Sequence, residues 1–186
     1  MKTDVSNSIT DELQSWVGRS VGPIQLPEAI TSADVRRYLD ATGDTNPLWT
    51  DEAVAHGAGY SACPVPPMLV MEMYRRAEGS GGAGDANLWE GMPLPPNYTD
   101  TRNAGNEIEW LAPVSVGDRL DVRHELKEIS AHQGRAGLGI YITRESEFRK
   151  QDGAVVVRLR ATTVKLPAAD TSGSERGERR SHGADH

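Results

Sequence analysis

Two kinds of hydrophobic spacing divide the chain. Between Thr31 and Gly43 the residues Val35, Tyr38, Leu39 and Thr42 fall at i, i+3, i+4 and i+7, the spacing of one face of an amphipathic helix. Thr31 followed by Asp34 has the form of a capping box, and Gly43 is a natural stop. A second helix is predicted to begin at once, with Asn46 as its cap and Pro47 at its first position. A third, after Pro66-Pro67, runs from Met68 to Tyr74 before Arg75 and Arg76. It is apolar on nearly every side, which predicts burial over most of its surface. Beyond residue 119 the period changes to two. Leu120, Val122, His124 and Leu126 alternate with Arg119, Asp121, Arg123 and Glu125, and Leu138, Ile140 and Ile142 with Gly139, Tyr141 and Thr143. Val155, Val157, Leu159 and Ala161 alternate in the same way with Val156, Arg158, Arg160 and Thr162. Polar links at residues 131–135 and at Asp152-Gly153 suit antiparallel hairpins. A sheet with one apolar face needs a cover, and the helix at 68–76 is available for it. The predicted fold class is α+β, an antiparallel sheet wrapped around a central helix.

Three segments break these patterns. Residues 1–17 form an N-terminal segment, polar apart from a short apolar patch (Ile9, Leu13, Trp16, Val17) that predicts a short helix ending at Gly18. Residues 77–105 carry Gly79, Gly81, Gly82, Gly84, Gly91, Pro93, Pro95 and Pro96 with little periodicity, and are expected to form a long loop. From Pro167 to His186 there is no apolar residue larger than alanine, which predicts a disordered tail. One domain is expected between them, at residues 18–166.

Charge and cysteine content narrow the function classes. Among 186 residues, 20 Lys+Arg stand against 27 Asp+Glu, a net charge of -7. That balance argues against general nucleic-acid binding, which needs a cationic face. The single cysteine, Cys63, rules out an internal disulfide framework. No apolar stretch approaches the ~18 residues of a membrane-spanning helix. The first 30 residues lack a basic start followed by an apolar segment, so a cytoplasmic setting is expected.

The stretch Gly43-Asp44-Thr45-Asn46-Pro47-Leu48-Trp49-Thr50-Asp51, then Gly59-Tyr60 and Pro66-Pro67-Met68-Leu69, resembles the MaoC-like hydratase/dehydratase family. More narrowly it is similar to half-domains related to the dehydratase of fungal-type fatty acid synthase. Pro113-Val114-Ser115-Val116-Gly117-Asp118, Gly134-Arg135-Ala136-Gly137 and Thr143-Arg144-Glu145 extend the resemblance over roughly residues 18–166. It implies the hotdog fold and chemistry on acyl thioesters of coenzyme A or a carrier protein. Water is added across a 2-enoyl bond or removed from a 3-hydroxyacyl chain, with no cofactor beyond the thioester substrate itself. In the family motif D-x-N-P-x-H the Asp and His handle water and protons, and a backbone N–H in H-G-M, at the start of the hotdog helix, binds the thioester oxygen.

This chain departs from the motif twice. Asp44, Asn46 and Pro47 match, but Trp49 stands at the histidine position. Indole donates one N–H, accepts nothing and does not titrate, so it cannot serve as general acid or base. Pro67 stands at the glycine position and has no N–H to offer. Losing one such donor typically costs ~100- to 1,000-fold in rate. The resemblance therefore implies a degenerate subunit, non-catalytic or substrate-shaping, paired with a motif-intact MaoC-like hotdog partner. If the Gly/Pro-rich segment shortens the central helix, a bulky acyl group such as a steroid side chain would fit.

Ordinary roles compete for the same residues. Asp44 can simply cap the following helix, Asn46 fits an N-cap, and Trp49 fits packing as well as a substrate platform. His56, seven residues after Trp49, would share its helix face about 10 Å along the axis. His124 falls on the apolar face of its strand, as a hydrogen-bonded core residue would. Five histidines and one cysteine show no metal-ligand spacing. Arg144, Arg158 and Arg160 suit solvated strand ladders, while Arg135 and Arg144 are the candidates for coenzyme A phosphates. With Asp44, the candidate site residues are Asn46, Trp49, Pro67, Met68, Arg135 and Arg144. Two other readings remain: a self-sufficient homodimeric hydratase using Asp44, and a non-enzymatic acyl-thioester binding protein.

Overall fold

In the computed structural model, which describes residues 11–79, 86–135 and 137–168, the alternating stretches become long strands. Ile9, Gly81, Gly82, Gly84, Ala136 and the tail from residue 169, with the expectations attached to them, lie outside the described residues. A short helix α1 (Asp11–Gln14) precedes strand β1 (Ser20–Gln25). Helices α2 (Ser32–Thr42), α3 (Glu52–Gly57) and α4 (Pro67–Gly79) follow, then α5 (Ala86–Trp89). Strands β2 (Asp100–Trp110), β3 (Leu120–Gly134), β4 (Gly137–Lys150) and β5 (Val155–Leu166) complete the chain. The five strands form one antiparallel sheet in the order β1-β3-β4-β5-β2.

Alternation decides which face meets the helix. Val122 pairs with Phe148, and Phe148 with Val157; all three are fully buried. From α4, Leu69, Val70, Tyr74 and Ala77 pack into the same core, with the Tyr74 ring edge-on to Phe148 at 5.1 Å. Each such side chain contributes ~1.5–3 kcal/mol by leaving water. His124 is a core residue as expected, its Nδ1 hydrogen-bonded to Ser146 Oγ at 2.8 Å. A second cluster, Leu13, Leu88, Leu126, Ile129, Ile140 and Ile142, seals the other end of the sheet beneath α1 and α5.

The α2 caps are those expected. Thr31 and Asp34 form a reciprocal capping box, and Gly43 closes the helix at φ +68°. Hydrogen bonding from the Thr31 hydroxyl, chiefly, holds the Asp34 carboxyl below its ordinary range.

Several expectations are corrected. The helix starting at Asn46 is a single 3-10 turn, Pro47–Trp49, because Asp51 takes the backbone N–H groups of Ala53 and Val54 and starts α3 afresh. Trp49 and His56 therefore share no helix face, and exposed His56 bonds the Ser61 carbonyl instead. Burial of α4 is one-sided, since the sheet covers only one side: Met68 is 49% exposed, and Arg75 and Arg76 face solvent. The loop expected at 77–105 is interrupted, because α4 runs on to Gly79, α5 intervenes and β2 begins at Asp100. The central helix α4 spans 13 residues, Pro67–Gly79. Two edge strands escaped the periodicity. In β1, Gly22-Pro23 interrupts the pattern, and the register shifts between Val21 and Ile24. Gly22 sits at φ +106° where a Cβ would stand 2.7 Å from the Val122 carbonyl oxygen, so the bend requires glycine. In β2 only Asp100 and Ile108 are half-buried, so no alternation marks it.

Candidate functional site

The turn after α2 gathers the motif. Gly43 reverses the chain, and Asp44 follows with its carboxylate turned back over the next five residues. Asp44 Oδ1 accepts the Asn46 N–H at 2.9 Å, and Oδ2 accepts the Trp49 indole N–H at 2.9 Å. Asn46 Oδ1 in turn accepts the Leu48 N–H at 3.0 Å, the capping role foreseen for it. Both oxygens of the acid are thus hydrogen-bonded to donors within its own turn. Neither donor can take a proton away, so the indole adds no second base or relay to the carboxylate.

Trp49 turns its other side to an open cleft of about 250 Å³. Tyr60, Pro67, Val70, Trp110 and Leu111 share the lining, and the Val65 N–H donating to the Val114 carbonyl at 2.7 Å closes the rim. The cleft is mainly apolar, and it opens between the N-terminus of α4 and the end of β2. Pro67, the first residue of α4, lines the cleft and has no backbone N–H to offer it.

Of the predicted site residues, the structure brings Asp44, Asn46, Trp49 and Pro67 to this end. Trp49 and Pro67 line the cleft, whereas Met68, adjacent to Pro67, points to solvent and does not. Arg135 is exposed at the tip of the β3–β4 hairpin. Arg144 is seven residues from the start of β4 and faces the inner side of the sheet, its Nη1 reaching the Tyr74 hydroxyl at 3.4 Å. The two arginines proposed for phosphate binding are therefore not neighbours. Arg144 also leaves the ladder in which it was grouped, because residues of even number on β4 point inward. Arg158 and Arg160 do form that ladder on the outer face: Arg158 bridges Glu109 and Glu147, and Arg160 holds Glu145. Burial raises the Glu145 carboxyl's pKa, but hydrogen bonds from Arg160 and Lys127 outweigh it and leave the group below its ordinary range.

Sequence reasoning missed Trp110 and Leu111 as lining residues, since Trp110 ends a strand that showed no period and Leu111 follows it directly. Their signal was a large apolar pair ending a polar stretch, and both stay more than 40% exposed. Among the described residues, no group of three or more His, Cys, Asp or Glu is placed to hold a metal ion.

The fold has counterparts among known proteins. The "Probable enoyl-CoA hydratase alpha subunit" of Thermomonospora curvata is 26% identical over 170 residues, covering 88% of this chain and 53% of that protein. The chain thus spans about half the length of that relative. The tomato mitochondrial "3-hydroxyacyl-[acyl-carrier-protein] dehydratase FERN" is 28% identical over 146 residues, covering 77% of this chain and 75% of the relative. Among solved structures, a chain of the ChsH1-ChsH2 complex from Mycobacterium tuberculosis superposes with a TM-score of 0.69 at 18% identity, covering 90% of this chain and 94% of that one. At that identity the likeness is one of fold. The model of the FAS1-like dehydratase domain region matches residues 15–159, nearly the whole described domain. The chain belongs to that family, and its fold is also that of a MaoC-like dehydratase matched with a TM-score of 0.62 at 24% identity.

Proposed function

We propose that this chain is the non-catalytic, substrate-shaping subunit of a heteromeric MaoC-like hydratase/dehydratase acting on 2-enoyl or 3-hydroxyacyl thioesters. The observation that carries the reading is the Asp44 carboxylate, hydrogen-bonded at both oxygens by the Trp49 indole and the Asn46 amide. Hydration needs a base to take a proton from water as it attacks Cβ, an acid to protonate Cα, and donors for the enolate oxygen. Trp49 cannot supply the first two, and Pro67 supplies no N–H for the third. These parts come from a motif-intact hotdog partner. This chain contributes the apolar wall of Trp49, Tyr60 and Trp110, against which an acyl or pantetheine segment is held away from water. Relatives named as an alpha subunit and as an acyl-thioester dehydratase support the thioester chemistry, and a two-protein complex of the same fold supports the pairing.

The test is 2-enoyl-CoA hydration by this protein alone, then co-expressed with a motif-intact hotdog subunit. Activity only in the mixture, lost on mutating the partner's histidine, is the expected result. Robust activity from this chain alone, abolished by Asp44→Asn, would overturn the reading in favour of a self-sufficient enzyme. Thioester binding without turnover in either preparation would leave a binding protein.

A further inference from the structure

Among the described residues that line the Trp49 cleft, none is acidic, basic or histidine. Backbone donors around it are spent: the N–H groups of Tyr60 and Val65 go to the carbonyls of Ala55 and Val114, and those of Leu111 and Ala112 both go to Val156. Pro64, Pro67 and Pro113 have no N–H at all. Side-chain donors remain on Tyr60 and on Trp110, which is 41% exposed and meets water. The indole N–H of Trp49 is withdrawn from the cleft, because Asp44 Oδ2 accepts it at 2.9 Å while Oδ1 is tied to the Asn46 N–H. The acid thus does two things to the ring. It satisfies the polar edge, so that Trp49 offers the cleft an apolar face, and it anchors that face to the backbone of a turn only three residues long.

Two parts of an acyl thioester compete for such a wall. The pantetheine arm carries amides whose carbonyls each need a donor, and one left unpaired on burial costs about 5- to 150-fold in affinity. A hydrocarbon chain needs no donor and gains by leaving water against aromatic rings. The anchored ring adds to that gain, since ordering a loose side chain on binding costs about 2- to 10-fold in affinity. Removing Asp44 would reverse both effects, returning a donor to the cleft and freeing the ring.

We propose that Asp44 is the positioning residue of Trp49, and that the indole so held makes the cleft select the hydrocarbon part of a substrate over its pantetheine arm. The identity of the ligand rests on the thioester reading above; the selection is measured as binding, without turnover. The probes are 1-octanol and pantetheine, titrated into the full-length protein. The readout is the Trp110 indole N–H resonance, assigned by its loss in Trp110→Phe. Octanol is expected to bind at least about tenfold more tightly than pantetheine. Asp44→Ala should weaken octanol about 2- to 10-fold without weakening pantetheine, and should change neither in the Trp49→Phe background. An Asp44 that only braces the turn would weaken both probes in both backgrounds. In the complex with an active partner, Asp44→Ala should raise KM by a similar factor while kcat stays within about threefold. Trp49→Phe, which keeps an aromatic ring, should by itself weaken octanol about 2- to 10-fold, and keeps the test open if Asp44→Ala does not fold. Pantetheine binding as tightly as octanol, or an Asp44→Ala effect that persists without the indole, overturns the proposal. Hydratase activity with a partner but no preference for octanol removes this inference alone. The preference with no activity in any pairing removes only the hydratase reading.

Discussion

The contact between Asp44 and Trp49 lends itself to a double-mutant cycle. Trp49→Phe removes the 2.9 Å indole bond to Oδ2 while keeping an aromatic ring in the cleft, and Asp44→Ala removes the acceptor. A hydrogen bond to a charged acceptor is worth about 1.5–3 kcal/mol when dry. Both residues here are half-buried, so water competes and about 1 kcal/mol remains as coupling. Asp44→Ala also frees the Asn46 N–H and should cost about 2 kcal/mol in all, whereas Trp49→Phe should cost about 1 kcal/mol. Made together, the two changes should cost about 1 kcal/mol less than their sum, measured by urea unfolding. In the complex with an active partner, neither single change should lower kcat more than about threefold, since proton transfer by a general acid or base is worth about 100- to 10,000-fold. Coupling below about 0.3 kcal/mol would show that the indole does not hold the carboxylate. A hundredfold loss of kcat in Asp44→Ala with unchanged folding would show that the acid works.

Three further outcomes follow from the fold. Phe148→Ala, at a fully buried position against Tyr74, should cost about 3–5 kcal/mol in urea unfolding, and a loss under 1 kcal/mol would mean that α4 does not seat there. Gly22→Ala, which places a Cβ 2.7 Å from the Val122 carbonyl oxygen at a positive φ, should cost about 1–3 kcal/mol and lower the melting temperature; an unchanged melt would dismiss the strain at that bend. The carboxyls of Asp34, Glu145 and Glu147 are held below their ordinary values of 3.8 for Asp and 4.5 for Glu. The unfolded chain therefore binds more protons between the two sets of values, and the stability these groups contribute is complete above the ordinary values. It should be lost progressively as pH falls through the native ones, and a Glu145→Gln variant should show a shallower fall between about pH 5 and pH 3 in unfolding free energy.

Local chemistry alone determined much of this protein. The box of Thr31 and Asp34, the stop at Gly43 and the buried alternation of Val122 and Leu126, Ile140 and Ile142, and Val157 and Leu159 could all be read in order along the chain, because each depends on neighbours within a few residues or on a period of two. The departures at Trp49 and Pro67 were equally legible, since an indole accepts no proton and a proline offers no N–H in any fold. Tertiary structure decided the rest. Edge strands β1 and β2 carry little apolar alternation because only one side of each is paired and little of either is buried, so the partner strand, not the sequence pattern, makes them strands. Asp51 competing for backbone N–H groups split a helix that Asn46 and Pro47 appeared to begin. Arg144 looked like a neighbour of Arg158 and Arg160 in a surface ladder. Its parity on β4 turns it instead toward Tyr74 and Lys165, residues 70 and 21 positions away. The cavity lined by Trp89, Thr101, Ile142, Arg144 and Lys165 exists only where three strands and a helix meet, a distance that no local pattern spans.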